Sequence, residues 1–204
     1  MVANYGGNSN YAAATSNPVS FTIQTPASPV YVSTFQVNDG SAQRSMVESL
    51  TVTFNVPVTL STGAITLLDE TTNTAVAIQW TPTAGPSASY TVTWSNPSQY
   101  TGGSLSNGQY VLTVNHTLVS STVGSMTADQ SYSFLRLFGD YNGDGIVNNA
   151  DYMMFKKAYG ATVGSATYNT YWYFDYYFDN YLNTGATINS SDLTAFLNDY
   201  GTSI

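Results

Sequence analysis

Asp140-Tyr141-Asn142-Gly143-Asp144-Gly145-Ile146-Val147-Asn148-Asn149-Ala150-Asp151 is the stretch that decides how the last third of this chain folds. It places oxygen-bearing side chains at positions 1, 3, 5, 9 and 12 of a loop, with glycine at position 6. A hard cation such as Ca²⁺ takes about six to eight oxygen ligands, and short Asp and Asn side chains at alternate positions can all turn inward. The spacing therefore predicts a calcium site with the ligands Asp140, Asn142, Asp144, the carbonyl of Ile146, Asn148 and Asp151.

This order of residues is that of an EF-hand calcium loop. Gly145 permits the sharp turn, and Asp151 closes the ligand shell where the next helix begins. The alternative is an acidic loop of Asx turns that binds no ion.

The composition indicates the class of protein. Only 8% of the 204 residues are charged, and Ser, Thr, Asn, Gly and Tyr are abundant, as in secreted bacterial β-modules. The formal net charge is −8, and seven of the twelve acidic residues follow residue 138. That balance disfavours nucleic acid and anionic membranes as partners and suits a cation-binding tail. We therefore expect an extracellular or cell-surface bacterial protein.

The chain contains no cysteine, so disulfides and thiolate metal sites are excluded, and its stability must come from its core and from bound ions. No apolar run reaches membrane-spanning length, so we expect no membrane insertion. Met1 leads directly into strand-like sequence without a signal peptide, which predicts a fragment of a longer protein.

Residues 31–137 are predicted to form a β-sandwich. Apolar residues alternate with Thr and Asn along residues 50–56, 90–94 and 110–114, as they do in half-buried strands. About seven short strands separated by Gly, Asn, Ser and Pro turns are typical of an immunoglobulin-like sandwich. The further apolar runs are residues 30–37, 64–68, 76–80 and 132–134.

Residues 1–28 contain one alternating segment, Val19-Ser20-Phe21-Thr22-Ile23, which predicts a half-buried strand. They resemble the last two strands of a bacterial immunoglobulin-like repeat, through Tyr-Gly-Gly-Asn-Ser-Asn-Tyr at residues 5–11 and Pro-Val-Ser-Phe-Thr at residues 18–22. The resemblance implies that the preceding strands belong to a missing part of the parent protein.

The stretch from Val37 to Asn55 resembles an immunoglobulin-like module in surface proteins of planctomycete-type bacteria, and the turn at residues 105–110 fits the same family. In those proteins the module commonly stands directly before a calcium-loop tail, as it does here.

The tail contains an internal repeat with an offset of 41 residues. Residues 147–151 are echoed by residues 188–192, and Phe155, Tyr159 and Gly160 are echoed by Phe196, Tyr200 and Gly201. Each copy predicts the end of a calcium loop, a short helix with an apolar face, and a glycine at the helix stop.

This duplicated loop and helix resembles the dockerin type I module over residues 138–204. The resemblance implies a small calcium-dependent domain that binds cohesin domains. The expected fold is therefore mainly β, with an immunoglobulin-like β-sandwich followed by a small α-helical, dockerin-like pair of EF-hand-type calcium loops.

The second loop departs from the pattern. Counting back from Asp192 puts Asn189 at position 9, but Tyr181 at position 1 and Gly185 at position 5. If the loop starts at Asp179 instead, it carries two extra residues, with Asn183 as a further ligand. Such a stretched loop either binds calcium more weakly than the first or is held by side-chain hydrogen bonds alone.

In dockerins, small hydroxyl residues late in the loop and a basic pair on the first helix face the partner. The resemblance assigns these positions to Ser190 and Ser191, and to Lys156 and Lys157. The alternative is that the serines are helix caps and the lysines are simply solvated.

The aromatic run at residues 168–181 is too large for one small core. Tyr171, Trp172, Tyr176 and Tyr177 are candidates for contact with a partner chain or, less favoured, a glycan. The alternative is that the run forms the seam between the tail and the sandwich.

No motif indicates catalysis, so we expect no enzymatic activity. His116 is the only histidine, and Asp69 and Glu70 are adjacent and point to opposite faces of a strand. Two functions remain: docking to a cohesin-like or other cell-surface partner, or self-association as a structural subunit of a fibre or surface layer. A weaker alternative is an accessory region of a polysaccharide-degrading enzyme.

Overall fold

The computed structural model describes residues 1–21, 28–95, 101–177 and 186–204. Within them the chain is mainly β, with antiparallel sheets and short helices, which confirms the broad fold prediction. The strands are β1 Asn4–Tyr5, β2 Ala14–Thr15, β3 Val32–Val37, β4 Leu50–Leu60, β5 Ile65–Asp69, β6 Thr74–Val76, β7 Ile78–Thr81, β8 Ser87–Trp94, β9 Gly108–Val114, β10 Val119–Ser120 and β11 Gln130–Arg136. The α-helices are α1 Asn149–Ala158, α2 Ala166–Tyr171 and α3 Ser190–Asp199.

Two antiparallel sheets share the larger hydrophobic core. One has the order β10-β4-β8-β7, with β3 also paired to β4, and the other has the order β11-β9-β5-β6. The predicted alternation is the reason for this packing: Leu50, Val52 and Phe54 are buried, whereas the threonines between them are half-buried.

The run at residues 76–80, predicted as one strand, is divided between the two sheets. Val76 ends β6 opposite Leu67, whereas Ile78 begins β7 opposite Trp94. The carbonyl of Ala77 accepts a hydrogen bond from Ser95 N (2.9 Å) at the crossing point. A continuous apolar run cannot reveal this change of sheet, because both halves have the same period.

Residues 1–21 form a separate hairpin of β1 and β2, extended by backbone hydrogen bonds between Met1 and Val19. The predicted strand there is not observed for Val19 and Phe21, which are 64% and 67% exposed. Its other members, Thr22 and Ile23, lie outside the described residues. No residue from 1 to 21 joins either hydrophobic cluster.

A second hydrophobic cluster organises the tail. The Phe155 ring on α1 lies 5.0 Å from the Phe196 ring on α3 and 5.3 Å from the Phe174 ring, measured between centroids. Met46, which precedes β4 of the sandwich, is fully buried in this same cluster. The tail therefore packs directly against the sandwich.

Three polar side chains fix this junction. Arg136 is 3% exposed, and its guanidinium donates to Ser104 Oγ and Asn107 Oδ1. Asn107 Oδ1 also accepts from Phe138 N (2.9 Å), while its Nδ2 donates to Asp199 of α3 (2.8 Å). Ser45 Oγ completes the junction by donating to the Tyr173 carbonyl (2.7 Å) and accepting from Gly139 N (2.8 Å).

Glu48 lies beside this junction with its Oε1 atom buried and without a hydrogen-bond partner among the described residues. Burial raises the pKa of its carboxyl from 4.5 to about 7. The Glu48 carboxyl ionises at lower pH in the unfolded chain than in the folded chain. Its contribution to the free energy of unfolding is therefore highest below pH 4.5, falls up to about pH 7, and is then level.

Glu48→Gln removes this buried charge and should raise the free energy of unfolding at pH 8 by about 1–3 kcal/mol. The gain should shrink to nearly nothing below pH 4.5, as measured by urea denaturation across pH. Glu70→Gln is the matched control because it removes the same charge from an exposed site. Equal effects of the two substitutions at every pH would contradict the burial of Glu48.

Candidate metal centre

The first predicted loop turns at two glycines with left-handed backbone, Gly143 (φ +75°) and Gly145 (φ +79°). A Cβ atom at residue 143 would lie 2.1 Å from the Ala42 carbonyl oxygen, so only glycine fits where the loop crosses the sandwich. At residue 145 a Cβ atom would lie 3.1 Å from the Ile204 carbonyl oxygen. The loop is thus held between the sandwich and the end of the chain.

Asp140 anchors the loop from inside. It is fully buried, and its two carboxylate oxygens accept hydrogen bonds from Gly143 N (2.7 Å) and Gly145 N (3.0 Å). Burial raises the pKa of Asp140, and the nearby carboxylates of Asp151 and Asp144 raise it further. Negative charge is therefore concentrated at this loop.

The next predicted ligands follow one another along the turn. Asn142 Oδ1 accepts from Asp144 N (3.2 Å), and Asn142 Nδ2 donates to Asp144 Oδ2 (2.8 Å). Asp144 Oδ1 in turn accepts from Ile146 N (2.9 Å). Each of these short side chains therefore bends back toward its own loop.

Asn148 and Asp151 start α1. The Asn148 side chain accepts from Asp151 N, and Asp151 Oδ2 accepts from Asn148 N (2.9 Å), which together make a capping box. Asn148 Oδ1 also accepts from Ala150 N (2.7 Å). The other oxygen of Asp151 accepts from Tyr141 N (2.9 Å) and so links the start of the loop to its end.

All six predicted ligands of the first loop lie in this one turn. The atoms that would coordinate the ion are all oxygens, as a hard cation requires. The buried carboxylates of Asp140 and Asp151 also suit a cation, which would offset their repulsion. Across the described ranges, however, no three acidic or histidine side chains are grouped as a metal site. Calcium binding here stays a prediction.

The second copy begins its helix in the same way as the first. Asn189 caps α3, and Asp192 accepts from Asn189 N (2.8 Å) to complete a capping box. The other oxygen of Asp192 accepts from Tyr176 N (2.8 Å), just as Asp151 accepts from Tyr141 N. Tyr176 is therefore the structural counterpart of Tyr141.

It follows that Asp175 is the counterpart of Asp140. Asp175 is 3% exposed, its Oδ2 accepts from the Tyr168 hydroxyl (2.7 Å), and its charge helps to raise the pKa of Asp192, after the larger effect of burial. Asp175 lies 17 residues before Asp192, outside both loop starts that the sequence suggested, Tyr181 and Asp179. The predicted ligands Asp179 and Asn183 lie outside the described residues.

The two copies close on each other through short backbone pairings. Val147, at position 8 of the first loop, exchanges hydrogen bonds with Gly201 and Thr202 after α3. Ile188, at the same position of the second loop, exchanges them with Gly160 and Ala161 after α1. Each loop is therefore tied to the end of the other copy's helix.

The serines and lysines assigned to partner binding lie on two different helices, and all four are exposed. Ser190 and Ser191 are exposed at the start of α3, and Lys156 and Lys157 are exposed in the last turn of α1. Their contact with a partner stays a prediction.

Of the four aromatic candidates, Tyr171 and Trp172 are half-buried at the edge of the tail's core. Tyr176 packs edge-on against Phe138, at 4.6 Å between ring centroids, close to Arg136 of the sandwich. Tyr177 is 43% exposed. Tyr176 thus belongs to the seam, whereas Trp172 and Tyr177 keep surface available to a ligand.

No known family model matches the chain, and no curated protein matches it. Among solved structures, it is similar to the N-terminal part of the bacterial S-layer protein SbsC, with 19% sequence identity and a TM-score of 0.36. The match covers 54% of this chain and 24% of that one. A TM-score this low identifies neither fold nor function.

None of the helices in the described ranges is long and apolar enough to cross a membrane.

Calcium should stabilise the folded tail, because an ion that binds only the folded state shifts the equilibrium toward it. At a free concentration about 100 times the Kd, the gain should be about 2.7 kcal/mol. We expect Asp140→Asn to remove the part of this gain that the ion of the first loop supplies, in thermal unfolding followed by near-ultraviolet circular dichroism, whereas Asp129→Asn, on the sandwich, should retain the whole gain. A gain that Asp140→Asn leaves unchanged would place the ion elsewhere.

Proposed function

We propose that this chain is the calcium-dependent docking region of a larger extracellular or cell-surface bacterial protein. In this proposal an immunoglobulin-like sandwich serves as a spacer, and a dockerin-like tail of two EF-hand-type loops binds a cohesin-like or other surface protein. The supporting observation is the duplicated loop-and-helix unit, with matching capping boxes at Asn148 and Asn189 and crossed backbone pairing between the copies.

Calcium would act by raising the free energy of unfolding of the tail. The predicted ligands bracket the start of each helix, so an ion bound at the loop would hold the helix end and the loop in one geometry. The first site would use Asp140, Asn142, Asp144, the Ile146 carbonyl, Asn148 and Asp151. The second would use Asp175 and Asp192, together with oxygens from the stretch that contains Asp179.

The junction with the sandwich supports a rigid spacer. Ser45, Asn107 and Arg136 tie the two parts together through buried hydrogen bonds. A partner bound to the tail would therefore be held in a fixed direction relative to the sandwich, since there is little free chain between them.

The serines at the start of α3 and the lysines at the end of α1 would provide the docking surface. These small and basic side chains are exposed and are not part of the hydrophobic core. A partner could therefore cover them without unfolding the tail.

A second candidate function is a structural subunit of an extracellular assembly. The observation that favours it is the exposure of Tyr11, Val19 and Phe21 in the amino-terminal hairpin, which packs on neither hydrophobic cluster. Such residues could add a strand to a neighbouring subunit. Chromatography in calcium separates the two candidates, because docking predicts a monomer and assembly predicts ordered polymers.

Calcium titration by calorimetry should count two ions for the chelator-stripped protein. Asp175→Asn and Asp140→Asn should each remove one ion, because they lie at equivalent positions of the two loops. Retention of two ions by Asp175→Asn would contradict the assignment of the second loop.

Docking itself is tested with immobilised type I cohesin domains in calcium and in chelator. We expect calcium-dependent binding that a charge inserted at the start of α3, Ser190→Asp with Ser191→Asp, weakens at least tenfold. Thr170→Asp is the matched control because it adds charge to an exposed site on α2. Failure to bind any cohesin in calcium would contradict cohesin docking while leaving the ion count unaffected.

A further inference from the structure

A cleft of about 360 Å³ opens where the tail meets the sandwich, on the side of α2. One wall comes from the loop that follows β3. The other walls come from Tyr141 and Asn142 of the first predicted calcium loop and from the segment that includes Asn169 and Trp172. We propose that this cleft binds a neutral oligosaccharide. The proposal does not depend on docking, and it requires no bound calcium ion, although Asn142 is also a predicted ligand of the first calcium site.

The cleft offers aromatic rings to the apolar face of a sugar. Tyr141, Trp172 and Tyr173 all line it, with ring centroids 6.4 Å apart for Tyr141 and Tyr173 and 6.0 Å apart for Trp172 and Tyr173. Tyr141 and Trp172 are half-buried, so part of each ring remains accessible. Pyranose C–H groups pack favourably on such rings because they are apolar and flat on one face.

The polar part of the lining suits hydroxyl groups, each of which both donates and accepts hydrogen bonds. Asp39 offers an acceptor, and hydrogen bonds from Ser41 lower its pKa, so it is ionised at neutral pH. The amides of Asn142 and Asn169 can both donate and accept. A set of planar polar side chains beside aromatic rings matches a sugar better than a purely apolar ligand.

Charge decides which class of sugar fits. Asp39 is the one charged side chain among the described residues that line the cleft, and no basic side chain there would bind a carboxylate, sulfate or phosphate. Arg44 lies behind the loop and donates to the carbonyls of Ser41, Ala42 and Gln43 at 2.9, 3.0 and 2.6 Å. The lining therefore favours a neutral ligand over an acidic one.

The walls are fixed before any ligand binds. Arg44 donates hydrogen bonds to three successive carbonyls of the sandwich loop, and Ser45 Oγ donates one to the Tyr173 carbonyl (2.7 Å). Before calcium binds, Asn142 is held by its pair of hydrogen bonds with Asp144. A preformed site loses less conformational entropy on binding, which matters for ligands as weakly bound as sugars.

The test is calorimetric titration of the full chain with hexasaccharides of glucose, mannose and xylose, and with hexagalacturonate as the acidic comparison. We expect saturable binding of at least one neutral hexasaccharide, and binding of hexagalacturonate at least tenfold weaker because Asp39 repels it. Trp172→Ala and Asn169→Ala should each weaken the neutral ligand roughly tenfold, the effect of losing one ring face or one hydrogen-bonding amide.

Asn169 is exposed on α2, so its substitution leaves the fold intact even if Trp172→Ala destabilises the tail. Asn198→Ala, an exposed asparagine of α3 outside the cleft, should bind like the unaltered protein. The proposal is overturned if no neutral hexasaccharide binds, if hexagalacturonate binds equally well, or if Asn169→Ala binds unchanged.

Discussion

Four carboxylates buried in a small tail are the constraint on which the rest of this structure depends. Asp140, Asp151, Asp175 and Asp192 are each no more than 3% exposed. Burying an ionised carboxylate without compensation costs several kcal/mol, and the two lysines of the tail are exposed on α1. On the sandwich, the His116 ring contacts Asp129, with Nδ1 and Oδ1 2.6 Å apart. The tail must therefore meet this cost with backbone amides and, in the proposal made above, with calcium.

The local hydrogen bonds of the tail compensate the buried carboxylates. Asp151 and Asp192 each accept two backbone N–H groups, one at the start of a helix and one near the start of a loop, so each carboxylate joins a loop to a helix. Behind them the rings of Phe155, Phe174 and Phe196 exclude water from the tail's centre. Met46 adds an apolar contact and Ser45 a hydrogen bond between the tail and the sandwich, so the tail does not fold as a separate, loosely linked domain.

Much of this was predictable from sequence because it depends on local patterns. The alternation of Leu50, Val52 and Phe54 indicates a strand, and the repeated Asn-x-x-Asp at residues 148–151 and 189–192 indicates two equivalent helix starts. The split of residues 76–80 between two sheets could not be predicted, because it depends on which strands β6 and β7 pair with in the folded chain. Asp175 was missed because the second loop is six residues longer than the first, so neither loop start suggested by the sequence reaches the match between Asp140-Tyr141 and Asp175-Tyr176. The junction at Asn107 is a tertiary contact over 92 residues, to Asp199, and has no local signal.

The most direct test of the account is a crystal structure grown in calcium, with the ions located by anomalous scattering. We expect one peak bounded by Asp140, Asp144 and Asp151, with oxygen atoms about 2.3–2.6 Å away, and a second peak beside Asp175 and Asp192. An absence of density in the first loop, with Asn142 still bonded to Asp144 and Asp140 still bound only to backbone amides, would contradict it.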